Sequence, residues 1–146
     1  MSILPDYLRT EVLTFDLHHR WFLILFRHLE DNVKAERWGF ADWACDKVGR
    51  YLLVHNGCEE HSMQRFQYDH IAEHKKAHTF FVRRWDQISE ATTQRRLDLS
   101  DVADFRQALI DHIANDDQRY SDYFERTGRL LQANNVLWRD GLALMP

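Results

Sequence analysis

Proline and glycine are scarce in this chain. Its 146 residues include two prolines, at positions 5 and 146, and five glycines, so little in the sequence breaks a helix and nothing resembles a flexible linker. Cysteine is scarce too. Two cysteines cannot make a disulfide framework, and if one unbroken helix carries Cys45 and Cys58 their Cα atoms stand roughly 20 Å apart, beyond bridging range. Reduced thiols fit a cytoplasmic setting. No run approaches the roughly 18 apolar residues that span a bilayer, and Met1 to Asp6 lacks the basic-then-apolar order of a leader. No membrane association is expected, and the location is expected to be cytoplasmic. An excess of basic residues is also missing: the formal charge is −4 and the pI about 6.1. Nucleic acid is therefore not an expected partner.

What the chain does have is apolar residues, 45% of the total, at helical spacing. That is enough for one core, and a single domain over residues 1–146 is expected. Steps of three and four link Phe15, Phe22, Phe26, Leu29 and Val33 in a first helix that the Trp38-Gly39 junction is expected to end. A second helix, from about Asp42 to Gln64, carries Val48 and Leu52. A third, from about Asp69 to Ser89, carries Ile71, Phe81, Val82, Trp85 and Ile88. The polar stretch from Ser89 to Leu99 reads as a connection, and Ser100-Asp101 as the cap of a fourth helix with Val102, Phe105, Leu109 and Ile113. Four amphipathic helices with short links predict an all-α, up-down-up-down four-helix bundle over about residues 12–124. The apolar extension 125–146, with Leu130, Leu131, Val136, Leu137 and Trp138, predicts a short extra C-terminal helix packed on the bundle or on a second copy.

Nine histidines stand out, and several share the core-facing stripes. His19 continues the stripe of Phe22 and Phe26. His55 and Glu59, four residues apart, lie one above the other after Val48 and Leu52. His70, His74 and His78 form a ladder at steps of four. His112 follows Phe105 and Leu109, with Asp116 and Asp117 close behind. A buried imidazole or carboxylate must be paired or metal-bound to offset its desolvation. One such residue is an ordinary core histidine; on four helices at once they point to a metal site inside the bundle.

The ligand types narrow the metal. There is no thiolate set for structural zinc, and there are too many imidazoles and carboxylates for one tetrahedral ion. Two ions bridged by carboxylates would use them all, and an imidazole-rich site of this kind suits iron. The Glu-x-x-His pairs of ferritin-like di-iron proteins are missing. A centre rich in neutral ligands favours holding O2 over strong oxidation.

The motifs Asp16-x-x-His19, His55-x-x-x-Glu59-Glu60-x-x-Met63, His74-x-x-x-His78-x-x-Phe81 and His112-Ile113 leading to Asp117-x-x-Tyr120 together resemble the hemerythrin family. The resemblance implies one iron held by His74, His78 and His112, another by His19 and His55, and bridges from Glu59, Asp117 and a solvent-derived oxo or hydroxo group. It implies reversible O2 binding for storage, delivery or sensing, without enzymatic turnover. The same ligands would also serve a di-iron peroxidase, a nitric-oxide-handling enzyme or an iron-handling module. The family pattern selects His74 with His78 over His70 with His74. It selects Asp117 although helix geometry prefers Asp116, and a locally distorted turn would permit that choice. His18 lies about 100° round the helix from His19 and is placed behind the ligands or at the surface. The chain departs from the family at Ala108, often Trp, which is expected to widen a path to the metals, and at Tyr68-Asp69, where the family has Tyr-Pro. A monomer or weak homo-oligomer is expected, with the C-terminal extension available for partner docking.

Overall fold

A computed structural model describes residues 4–135. After a short 3-10 turn, Asp6–Leu8, come α1 (Leu13–Lys34), α2 (Trp38–Arg65), α3 (Ile71–Thr93) and α4 (Leu99–His112). A five-residue π-helical turn, Ile113–Asp117, joins α4 directly to α5 (Gln118–Arg126). No strand occurs among the described residues. Successive helices pack on one another and α4 returns to α1, which closes the bundle in the expected up-down-up-down order.

Three boundaries differ from those read in the sequence. Helix α1 stops at Lys34, and Trp38-Gly39 opens α2 instead of closing α1. Helix α3 runs on through the polar residues after Ser89 to Thr93, where Thr92 and Thr93 return their hydroxyls to the carbonyls of Ile88 and Ser89. The cap of α4 is Asp98, whose carboxylate accepts the Ser100 N–H at 2.9 Å.

The physical reason for the missed ends is shared. At the end of α1 the Arg37 N–H reaches the Asn32 carbonyl and the Glu36 N–H that of Val33. Tyr68 and Gln67 repeat this on Met63 and Gln64, and Arg96 and Arg95 on Ala91 and Thr92. Each pair is a Schellman closure, which needs one residue in the left-handed region, usually glycine. Here Glu36 (φ 53°), Gln67 (φ 55°) and Arg95 (φ 59°) occupy it, and only the closure of α5 uses a glycine, Gly128 (φ 67°). With no glycine at three of four stops, the sequence carried no punctuation to read.

Along α1 and α2 the buried residues run apolar, polar, apolar, while on α3 the buried histidines precede the apolar run and on α4 His112 follows it. Phe22, Phe26, Leu29, Val48, Leu52, Phe81, Trp85, Phe105 and Leu109 form a core toward one end of the bundle. Val12, Phe15, Cys58, Met63, Phe66, Tyr68, Tyr120 and Phe124 form a second at the other. The Trp85 indole N–H donates to the Cys45 carbonyl at 3.0 Å and pins α3 to α2. Both cysteines are buried on α2, and no disulfide joins them. The C-terminal extension turns back onto the bundle: residues 130–135 are helical, Ala133 is fully buried, and the Asn134 amide bonds the Leu13 N–H and the Glu11 carbonyl. The rest of the expected extra helix, with Val136, Leu137 and Trp138, lies outside the described residues.

A non-glycine residue in the left-handed region costs roughly 1–2 kcal/mol, partly offset by the unfolded-state entropy that glycine adds. Glu36→Gly and Gln67→Gly are therefore expected to be neutral or stabilising by up to about 1 kcal/mol, and Gly128→Ala to destabilise by about 1 kcal/mol. Denaturant melts of the three variants check this; a clear loss of stability in both glycine variants would contradict it.

Candidate metal centre

Between the two apolar cores lie seven buried polar residues: His19 from α1, His55 and Glu59 from α2, His74 and His78 from α3, His112 from the end of α4 and Asp117 from the π turn. Each is at most 5% exposed, in a core where an unpaired charge costs several kcal/mol. Their donor atoms form two sets. Glu59, His74, His78 and His112 make one, and His19, His55, Glu59 and Asp117 the other; within each set the donors lie within 4.8 Å of one another.

The carboxylates face both sets. Glu59 Oε2 lies 3.0 Å from His74 Nε2 and 3.1 Å from His78 Nε2, while Oε1 lies 3.4 Å from His55 Nε2. Asp117 Oδ1 lies 3.3 Å from the Nε2 atoms of both His74 and His112, while Oδ2 lies 3.2 Å from His19 Nε2. Each carboxylate thus offers one oxygen to each histidine group. Two donors about 2.1 Å from one ion at right angles stand about 3.0 Å apart, close to these separations.

The outer ring nitrogens say which nitrogen is free to bind. His78 Nδ1 lies 2.9 Å from Glu60 Oε1 and His112 Nδ1 2.8 Å from Asp116 Oδ2. Each Nδ1–H donates outward, so each Nε2 turns its lone pair inward toward a carboxylate oxygen. Two lone pairs facing each other need a proton or a cation between them. Among the ion pairs of the described residues, no lysine or arginine reaches Glu59 or Asp117. The buried atoms without a hydrogen bond include both ring nitrogens of His19 and His55, Glu59 Oε1, His112 Nε2 and both oxygens of Asp117. The residues present fit a pair of cations.

Proton affinities in the metal-free chain follow from this crowding. Burial opposes charge on Glu59, but His55, His74 and His78 outweigh it and hold its carboxyl well below the usual range. Burial and the Glu59 charge both oppose ionisation of Asp117, yet His112, His19 and His74 win and it too is lowered. Burial works against a charged His74, whose bonds to Asp117 and Glu59 nevertheless hold it up at about 10. His78 is raised in the same way, chiefly through Glu59. His55 goes the other way, pushed well below its ordinary value mainly by burial. Burial and then His19 lower His18 to about 4.

Of the neighbours, His70 stands exposed at the cap of α3, 3.5 Å from Glu73. Asp116 takes the outer edge of His112, not the interior, because the π turn inserts a residue and swings Asp117 inward. His18 is fully buried rather than at the surface. Spacing could not separate Glu60 from a surface acid; only its place after Glu59 marks it. Ala108 does leave a groove, about 410 Å³, but Phe80, Arg84, Gln87, Asp104 and Phe105 line it and none of the seven residues does. Two other grooves touch His74 and His78 beside Asp116 and Glu60, and neither is lined by His19, His55, Glu59 or Asp117. No described helix is long and apolar enough to cross a membrane.

Comparison with known proteins gives one informative relative, a bacteriohemerythrin of Stenotrophomonas maltophilia (strain R551-3). It is 28% identical over 124 residues, which cover 84% of this chain and 80% of that protein. The similarity supports the resemblance to the hemerythrin family. No family model and no solved structure matches the chain.

The stability of the metal-free protein is expected to peak near pH 6.5. Below that value the unfolded chain protonates His18 and His55 while the fold resists it, so stability falls toward pH 4. The lowered Glu59 and Asp117 contribute stability above about pH 4 that is lost in stronger acid. The raised His74 and His78 stabilise the fold fully below about pH 6.5, a contribution lost as pH rises through about 10 for His74. Thermal melts of chelated protein across this range check it, and a flat profile from pH 4 to 10 would count against it.

Proposed function

We propose that this hemerythrin-like chain holds two iron ions between its four helices and binds O2 reversibly there, as a carrier, store or sensor without turnover. The observation that carries the reading is the split of Glu59 and Asp117, each with one oxygen toward either histidine group. His74, His78 and His112 would hold one ion, His19 and His55 the other. Once bound, the ferrous pair would supply the electrons for reversible O2 binding.

The chain's own part is positioning and exclusion of water. Glu60 and Asp116 orient His78 and His112 from outside. With one imidazole fewer, the His19/His55 half leaves room for an exogenous ligand. Phe15 and Phe22 set their ring edges on His55 at centroid distances of 6.0 and 5.5 Å, and Phe81 lies 5.3 Å from His112. These walls are apolar, and among the described residues the two grooves that touch His74 and His78 do not reach the His19/His55 half. A diatomic gas can pass between packed side chains by small fluctuations, whereas a larger substrate needs an open path, and neither of these two grooves supplies one to that half. That supports gas binding over an enzyme with an organic substrate.

Metal analysis of protein loaded anaerobically with ferrous iron is expected to give about two ions per chain, and admitting O2 to give a visible band that vanishes under vacuum. One ion per chain, or immediate irreversible oxidation, would overturn the reading. Asp117→Ala is expected to lose iron. Asp116→Asn and Glu60→Gln are expected to keep it with affinity lower by about 10- to 100-fold; iron loss from the Asp116 variant alone would reassign the bridge. Acid is expected to release metal and loosen the bundle together, since imidazoles bind only when neutral. Iron retained by a melted chain would contradict that.

A further inference from the structure

Among the described residues, the orphaned polar side chains of the core include one outside the seven, His18. His18 is fully buried, and neither Nδ1 nor Nε2 has a hydrogen-bond partner. Leaving a buried donor or acceptor unmet is destabilising, so an imidazole with both nitrogens unmet is a poor choice for a position that only needs filling. Its surroundings show what it serves. The ring packs edge-on against His55, with centroids 5.5 Å apart at 84°, and edge-on against Tyr51 at 6.1 Å. Trp21, itself exposed, stacks on Tyr51 with ring centroids 6.4 Å apart. His18 does not complete either donor set. It lies beside the half of the centre that has only two imidazoles.

We infer that His18 supplies a hydrogen bond to a small polar ligand held in the His19/His55 half of the centre. The inference rests on the di-iron reading and adds to it the residue that determines how firmly such a ligand is held. A neutral imidazole carries one N–H donor and one acceptor, and in an apolar enclosure a donor to an anionic or polarised ligand is worth more than the same bond in water. Among the residues named around His55, Phe15 and Phe22 have no donor, so His18 is the group able to make this bond from that side. The ligand class is a small anion or a polarised diatomic molecule.

The test uses iron-loaded full-length protein with azide as the probe. The His18→Leu variant is expected to keep the same iron content, to bind azide about tenfold more weakly, and to lose the H2O-to-D2O shift of the azide antisymmetric stretch that wild type shows. His18→Gln restores a donor and is expected to recover much of the affinity and the D2O shift. The metal-free melting temperature of His18→Leu is expected to equal or exceed that of wild type, because an orphaned imidazole has been replaced by an apolar side chain. Loss of one iron per chain from the leucine variant would make His18 a ligand and overturn the inference. Azide affinity and D2O shift unchanged in that variant, or a lower melting temperature with unchanged azide affinity, would overturn it as well. Wild-type protein that takes up no metal pair defeats both this inference and the reading beneath it, whereas a loaded leucine variant that binds azide as wild type does defeats this inference alone.

Discussion

Glu59 and Asp117 sit in a helical core where no lysine or arginine among the described residues pairs with them, so their charge must be balanced by what five imidazoles can carry or hold. In the metal-free chain the balance is struck with protons, which is why His74 and His78 are raised while both carboxyls are lowered. A divalent cation bound as proposed would compete for the same lone pairs. Metal uptake, proton release and stability are then aspects of one equilibrium.

That constraint explains the layered core. A buried charge cluster on four separate helices keeps its geometry only if the helices cannot slide, and the apolar packing on either side prevents sliding. Phe22, Phe26, Trp85 and Phe105 lock one end; Phe15, Phe66, Tyr120 and Phe124 lock the other. Hydrogen bonds reinforce the second end: Asp16 accepts the Thr10 N–H and hydroxyl at 2.7 and 2.8 Å, the Ser121 hydroxyl donates to the Thr10 carbonyl, and Tyr120 donates to Ser62 at 2.7 Å. These contacts tie the N-terminal arm and α5 together one turn away from His19 and Asp117. The aspartate of the Asp-x-x-His motif is thereby given a job that does not involve metal.

Legibility varied with the kind of signal. Helix faces were plain because the steps of three and four are intrinsic to the helix, and the same steps put His55 over Glu59 and His74 over His78. Helix ends were obscure because Glu36, Gln67 and Arg95 accept left-handed backbone where glycine is usual. The long reach of α3 to Thr93 was hidden by its polarity, since an exposed helical turn and a polar connection share a composition.

The sequence by itself determined the all-α bundle and a set of imidazoles and carboxylates on four inward stripes, because periodicity and burial are local consequences of residue type. On helical geometry alone it favoured Asp116, and only the family resemblance selected Asp117. Tertiary structure decided their places: a π turn rotates Asp117 into the core and leaves Asp116 on the outer edge of His112. It also gave Glu60 its place on His78 and buried His18 without a partner. Those outcomes depend on where neighbouring helices put their atoms, and the spacing along any one helix carries no record of that.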